Sequence, residues 1–464
     1  MRIKSKWLVI LLAMGLVLTA CSPGGESEET TTTGGGTTDT TEGPTDTTEP
    51  TDTTGAGADI ATDIGVDLEA GTITIGLLSD LSGQFSSLVQ LIVAAHEIYW
   101  EDVNANGGIN GLEVEVVALD TEYLSDVHVQ RYEELKDEVV AFGHSTGSPQ
   151  TVAIIPQLEA DGILAIPLTW YSGWTDPAYN NNLMHHGAPY CVESMNVLSY
   201  ISEQLGEEAT RLAIASVPGD YGLDSMEGAK LAADALGLEI VYDGSGQILP
   251  GDEAAFTAVA QGIVGADPDI VYMTSSPLQW GPIFGQALAA GFTTAHWSGA
   301  GPSYNPAFIA PDSAIRDAVA AMTTWGSYYS FWSDDSPGVT AAKDLLTASG
   351  RVDRPVSAYL EGFVEARMMH GVLEEAYAAG DMTQAGVLAA GKSLESVSFD
   401  GIAPDETYVG TPDEQLQRAT NMWRVDLAGL DDGTHAGEVA VEPGYVSDAA
   451  AAFEFSEACY QLEG

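Results

Sequence analysis

The chain has 464 residues, with 15 Lys and Arg against 68 Asp and Glu, a formal charge of −53 at pH 7. That balance excludes nucleic acid as a natural partner, because phosphate recognition needs a basic footprint. The length accommodates two domains of ordinary size, and acidity this extreme reads as a solvated surface suited to salty or acidic surroundings.

At the N-terminus, Arg2, Lys4 and Lys6 precede an apolar run from Trp7 to Leu18, and Leu18-Thr19-Ala20-Cys21 follows. A basic start, a short apolar stretch and small residues before a cleavage point read as a signal peptide over 1–20, too short to span a membrane. The Cys after Leu-Thr-Ala resembles the bacterial lipobox. That resemblance implies a diacylated Cys21 as the mature N-terminus, an anchor to the cell membrane from an extracytoplasmic position. Without the leader's three basic residues, 12 Lys and Arg face 68 acids, a net charge of −56. From Ser22 to Gly57 the sequence is Thr, Gly, Glu, Asp and Pro with few apolar side chains, so residues 21–71 are expected to form a disordered tether. Cys191 and Cys459 remain as an even pair in an oxidising compartment, and a disulfide is expected between them.

Ordered structure is expected from Thr72. Ile73, Ile75, Leu77 and Leu78 make a short apolar strand. After Ser79-Asp80-Leu81-Ser82-Gly83, the residues Leu88, Leu91, Ile92, Ala95, Ile98 and Tyr99 recur at helical spacing. The run Asn104-Ala105-Asn106-Gly107-Gly108-Ile109-Asn110-Gly111 ends the helix, and Glu113–Leu119 is a second strand: a βαβ unit, the seed of a parallel sheet. The alternation continues with helix Gln130–Val139, strand Val139–Phe142, a helix from about Gln150 to Ala160, and strand Ile163–Ile166. Ser148 followed by Pro149 suits a helix start, whose amides favour an anion such as a carboxylate. Leu168-Thr169-Trp170-Tyr171-Ser172-Gly173-Trp174, at a strand end, suits the wall of a small-molecule cleft.

The pattern restarts after His185. Strands are expected at Leu212–Ser216, Glu239–Val241, Asp269–Met273 and Thr294–Ser298, with helices Met195–Gln204, Ser225–Leu236, Ala254–Val264 and Ile283–Ala290 between them. Thr274-Ser275-Ser276 closes one of these strands. Two α/β series in one chain, each with ligand-competent loops at its strand ends, would face each other across a cleft. Thr323–Trp332 is aromatic and irregular, Tyr359–Ala379 is a helix, and Asp405–Asp426 reads as strand.

One constellation suggests catalysis. Gly143-His144-Ser145-Thr146-Gly147 is a G-x-S-x-G between strand and helix, where an α/β-hydrolase places its nucleophile. No His-Gly-Gly-type oxyanion loop precedes it, and the expected helix start at Ser148 lies three residues past Ser145. P-loop, CxxC and HExxH patterns are absent, and His185-His186 lacks spaced partners for a metal. No catalysis, cofactor or metal is expected.

The Ile75–Gly83 run and the Asn-x-x-Gly-Gly-Ile-x-Gly run at Asn104–Gly111 resemble the opening of type I periplasmic-binding proteins. More narrowly they resemble the leucine/isoleucine/valine-binding branch, the substrate-binding components of ABC importers. The resemblance covers nearly all of 72–464. It implies two Rossmann-like lobes with parallel sheets, 72–188 with 326–420 and 189–325 with 421–464. They would be joined by three hinge crossings near His186–Tyr190, Thr324–Gly326 and Asn421–Arg424. It also implies a ligand carboxylate held by Ser148, Thr169 and Tyr171, an aromatic cover from Tyr221, and an α-ammonium held by Asp252 or Glu253. Ser82, Phe85 and Ser275 are further candidates. The departure is Pro167-Leu168-Thr169-Trp170-Tyr171, bulkier than the family's small run, with Trp170 set to shrink the pocket or stack on a flat ligand.

The function so implied is an extracytoplasmic solute-binding lipoprotein. It would bind an amino acid, amide or small carboxylate and deliver it to an ABC permease. Its alternatives are a ligand-sensing lipoprotein that presents solute to a receptor and, further off, a secreted hydrolase using Ser145.

Overall fold

A computed structural model describes residues 60–177, 182–207, 209–352 and 354–462. The leader and Cys21 lie outside the described residues. Among those described, no helix is long and apolar enough to cross a membrane.

The expected βαβ series is present. Strands β1 (Thr72–Ser79), β2 (Glu113–Asp120), β3 (Ala141–Thr146) and β4 (Ala165–Leu168) alternate with helices α1 (Ser86–Ala105), α2 (Ser125–Leu135) and α3 (Ser148–Asp161). They pair in parallel in the order β2-β1-β3-β4, with Ile75 of β1 opposite Val116 on one side and Ala141 on the other. The β-branched and leucine residues that define β1 are the ones it buries: Ile73, Ile75, Leu77 and Leu78 are inaccessible. After α1 the chain reverses through Gly107 and Gly108, both at positive φ. At Gly108 a Cβ would lie 2.0 Å from the Leu112 carbonyl oxygen, so only glycine fits.

The second series repeats the plan. After α4 (Tyr190–Leu205), strands β5 (Arg211–Ser216), β6 (Glu239–Gly244), β7 (Ile270–Thr274) and β8 (His296–Ser298) enclose α5 (Asp220–Leu236), α6 (Glu253–Ala266) and α7 (Pro277–Ala289). Their order is β6-β5-β7-β8, again all parallel. In both sheets the winding reverses between the first strand of the series and the third. That reversal opens a crevice at the carboxyl ends of the strands.

The remaining chain serves both sheets. A third, antiparallel sheet has the order β9-β10-β11, from Trp325–Ser327, Thr420–Val425 and Glu438–Tyr445. Of the 405–426 stretch expected as strand, only 420–425 is one; Thr411 instead caps a short helix, Pro412–Gln415, through a capping box with Glu414. Helix α8 (Pro337–Ser349) and the long helix α9 (Ala358–Ala379) return to pack on α1. Residues 60–71, expected as part of the tether, are structured as well. Ala61–Thr62 pairs with Asp381–Met382, and Val66–Asp67 runs antiparallel to the start of β1. Polar composition hides this, because main-chain pairing, the buried Val66 and the Asp63 carboxylate, which accepts from the Gln384 amide at 2.9 Å, hold the segment. The described residues pack as one compact unit.

The close approach of α1 and α9 depends on Gly362. A Cβ there would lie 2.3 Å from the Ile92 carbonyl oxygen and 2.8 Å from Ala95 Cβ. Gly362→Ala must therefore push two packed helices apart, and urea denaturation is expected to show a loss of about 1–3 kcal/mol. Unchanged stability would mean that the helices are not in this contact.

Candidate functional site

Strand-end loops of both parallel sheets meet around one cavity. Together with the open solvent at its mouth, it spans about 940 Å³. From the first sheet come Phe85, Tyr123, Thr146, Gly147, Leu168 and Trp170. From the second come Tyr221, Gly301, Pro302 and Tyr304, and Tyr190 and Glu193 stand on α4 between them. Segment 326–331 and the N-terminal turn of α9 complete the wall, with Trp423 and Glu438 from the third sheet.

Local rules explain how these side chains are presented. Asp80, inaccessible at the end of β1, accepts hydrogen bonds from the Gly83 and Phe85 backbone amides, shaping the loop that carries Phe85. Gly147 at φ 95° turns the chain from β3 into α3; a Cβ there would lie 2.7 Å from the Tyr123 ring. The Phe85 ring meets Tyr123 at 4.9 Å and, across the two sheets, Tyr221 at 6.1 Å. Tyr221 packs on Tyr190 at 4.8 Å, and Trp170 lies 5.2 Å from Tyr328. Such tilted and edge contacts suit the ring quadrupoles and form a continuous aromatic wall.

The charged groups of the wall are all acidic. Glu193 Oε1 accepts from the Gly301 amide at 2.7 Å, and Glu438 Oε2 from the Ser357 amide at 3.3 Å. Glu361, on the first turn of α9, leaves Oε1 with no hydrogen-bond partner, as do the Tyr304 and Tyr328 hydroxyls. Burial pushes the Glu193 carboxyl up to about 8, against the pull of the Gly301 amide. Burial, reinforced by Glu365, raises Glu361 well above the usual carboxylate range. Glu438 is raised by burial too.

The expected site residues divide. Trp170, Tyr221 and Phe85 line the cavity. Ser148 and Thr169 are buried just behind the wall, their hydroxyls hydrogen-bonded to each other, and Thr169 also reaches the Tyr190 hydroxyl at 3.3 Å. Ser148 is the first residue of α3 rather than its cap, which is Gly147. Ser275 supports Tyr221 from below, its carbonyl accepting from the Tyr221 hydroxyl at 3.1 Å. Tyr171 points away from the cavity: its ring packs on Trp174 and its hydroxyl donates to the Tyr460 carbonyl at 2.7 Å. Successive residues of an extended segment face opposite sides, so with Trp170 inward Tyr171 goes outward. Asp252 and Glu253 are exposed, and Asp252 caps α6 through the amides of Ala254 and Ala255. Ser82 is exposed and outside the lining. Cys191 and Cys459 are bonded, with Cα atoms 6.4 Å apart.

The residues that sequence reasoning missed are the three glutamates, Tyr190, and the aromatics of 328–331 with Trp423. One signal was present: Glu361 and Glu365 stand four apart on the apolar face of a helix, where an acid needs a reason.

The G-x-S-x-G run does not form a nucleophile elbow. Gly143–Thr146 lies within β3, and Ser145 is inaccessible, held by His128 Nε2 at 3.0 Å and Thr151 Oγ1 at 2.9 Å. Next to it, His144 places Nδ1 2.8 Å and His96 places Nε2 3.2 Å from Glu365 Oε2, all inaccessible to solvent. His96, His144 and Glu365 offer donors within 4.8 Å of one another. Zinc bonds of about 2.0–2.1 Å set tetrahedrally would hold such atoms about 3.3 Å apart. The 2.8 Å separation is that of a hydrogen bond instead.

Comparison with known proteins is consistent with this geometry. A family model described as periplasmic binding protein matches residues 72–434. A solved fatty acid ABC transporter substrate-binding protein from Thermomonospora curvata is 25% identical with a TM-score of 0.77, covering 85% of this chain and 97% of its own. A branched chain amino acid ABC transporter protein from Thermus thermophilus with bound valine is 21% identical, with a TM-score of 0.67 and coverage of 82% and 98%. A solute-binding protein from Rhodopseudomonas palustris HaA2 in complex with p-hydroxybenzoic acid is 18% identical, with a TM-score of 0.63 and coverage of 76% and 93%. No curated protein sequence matched.

Proposed function

The chain belongs to the periplasmic binding protein family, and from that premise we propose that it is the extracytoplasmic solute-binding component of an ABC importer, taking a small solute into the aromatic cavity and handing it to a permease. The observation that carries the reading is the cavity itself: strand-end loops of both parallel sheets contribute to one enclosed wall. Ligands of open parallel sheets bind at that edge.

In this reading the two sheets with their helices are two lobes, 72–188 with 326–420 and 189–325 with 421–464. The chain crosses between them near 186–190, 324–326 and 421–424. Closure about those crossings would bury the ligand, and the closed form would dock on the permease. Cys21 would carry the lipid anchor, with the Thr-rich segment as tether. The relatives' named ligands, a fatty acid, valine and p-hydroxybenzoic acid, support a small organic solute. Family membership, together with the buried position of Ser145, argues against catalysis.

Thermal melting of the purified protein against a panel of amino acids, amides, carboxylates and amines tests the reading. A ligand of the folded state at a hundred times its Kd adds about 2.7 kcal/mol, a clear upward shift in melting temperature. The shift is expected to vanish in Tyr221→Ala, which removes a ring shared by both sides of the cavity. No shift with any solute would count against the function.

A further inference from the structure

We propose that the solute taken by this cavity is an organic cation, an amine or quaternary ammonium with an apolar body, rather than a carboxylate. The inference rests on the solute-binding reading above and names its ligand class.

Three observations carry it. The lining holds Glu193, Glu361 and Glu438 and no Lys, Arg or His, so nothing on the wall would compensate a buried anion. The unpartnered polar atoms are of the kind that meets a cation. Glu361, on the lining, is 6% exposed, with Oε1 outside hydrogen-bonding distance of any partner and the Tyr328 hydroxyl near enough to pull its carboxyl down; the Tyr304 hydroxyl on the same wall is unbonded as well. Phe85, Trp170, Tyr190, Tyr221, Tyr329 and Trp423 line the same cavity, and aromatic faces attract ammonium groups through their quadrupoles.

The corner that would take a carboxylate is already occupied by an acid. Ser148 and Thr169 are bonded to each other, and the Asp220 carboxyl lies close enough to Ser148 to be held down by it. Asp220 is 2% exposed and leaves Oδ2 unpartnered; burial nonetheless pushes its carboxyl up to about 7. A ligand carboxylate placed there would find both hydroxyls already engaged and an acidic side chain beside them.

Burial raises the carboxyls of Glu193, Glu361 and Glu438 above their ordinary values. A bound cation favours their ionised form, so binding should release protons and tighten as pH rises from 6 to 8. The groups facing these acids set that response. Glu361 faces Glu365 on its own helix and Tyr328 and Tyr329 across from it. Glu438 faces Ser357, Arg354 and His435, and Glu193 faces the Gly301 amide with Tyr221 and Tyr272 nearby.

Probes with a shared phenylalkyl body and different charge decide the matter: phenethylamine, 3-phenylpropanol and 3-phenylpropionate, with tetraethylammonium as a quaternary cation, each tested by melting shift and calorimetric titration. The cations are expected to raise the melting temperature and the carboxylate to leave it unchanged. Glu361→Gln, which keeps the shape of the wall, should weaken cation binding at least about tenfold, and titrations in two buffers of different ionisation heat should report proton release. Binding of the carboxylate or the alcohol but not the cations, or unchanged cation affinity in Glu361→Gln, overturns the cation assignment and leaves the solute-binding reading standing. No binding of any probe, with no shift across the broad solute panel, overturns both.

Discussion

Glu365→Ala is expected to cost the protein about 3–5 kcal/mol, the loss seen when one partner of a buried charged cluster is removed. The carboxylate sits on α9 with no solvent exposure and joins elements far apart in sequence. His144 of β3 and His96 of α1 hydrogen-bond to Oε2, and His186 Nε2 approaches Oε1 at 3.7 Å. Burial alone would raise this carboxyl, but the attraction of His144, the hydrogen bonds from His144 and His96 and the nearby His186 ring pull it well below the usual range. Its contribution is therefore fully present above the unfolded value near 4.5 and is lost as pH falls towards the depressed folded value. His96, lowered mainly by burial, adds to the same loss, because the unfolded ring takes a proton below about 6.5 that the folded ring refuses.

The cluster also backs the cavity wall. His144 Nε2 lies 2.6 Å from Thr146 Oγ1, and the His186 ring packs on Trp170 and Tyr328. Urea denaturation of Glu365→Ala, with Glu365→Gln retaining part of the stability as the isosteric control, measures the effect. A cost below about 1 kcal/mol would show that the histidines do not depend on this carboxylate.

Removing the Cys191–Cys459 disulfide is the other large effect. The bridge closes a loop with a sequence separation of 268, for which the chain-entropy estimate is about 5.6 kcal/mol and engineered cases deliver less. The surroundings favour a structural role. Cys191 is inaccessible on α4, and the Cys459 amide donates to Ser172 Oγ at 2.8 Å. Ser172 in turn donates to Asp224 of α5, which also accepts from the Cys191 and Tyr460 amides. The C-terminal segment is thus tied to the loop after β4 and to two helices of the second series. A Cys191→Ala/Cys459→Ala double variant is expected to lose about 2–5 kcal/mol. Reducing agent should lower the melting temperature of the parent and leave the variant unmoved. A reductant-insensitive parent would mean that the thiols are unpaired.

Much of the fold was legible because its strands announce themselves. The βαβ order around Ile73–Leu78, Leu212–Ser216 and Asp269–Met273 follows from short apolar runs punctuated by Gly, Pro and Ser, and the structure has strands at each. The cysteine pair needed only counting. Helix starts were less visible: α5 begins at Asp220 and α7 at Pro277, ahead of the apolar periodicity, since first turns are chosen for capping rather than burial.

The cavity was half legible. Trp170, Tyr221 and Phe85 stand directly at strand ends, where a sequence pattern points. Glu193, Glu361 and Glu438 come from a helix, another helix and an antiparallel strand, and only tertiary packing brings them together. Tyr171 and Asp252 were drawn in by the family resemblance. Strand alternation sends the first outward, and capping of α6 occupies the second.

Hydrogen–deuterium exchange, with and without the panel solute that gives the largest melting shift, tests the central claim most directly. Capture between the two sheets predicts slowed exchange at strand-end loops of both, around 80–88, 146–149 and 168–172 in the first and 218–222 and 301–306 in the second. Segment 326–331 should be slowed with them, while exchange near Cys459 stays unchanged. Protection confined to one sheet, or on a surface away from the cavity, would contradict the account.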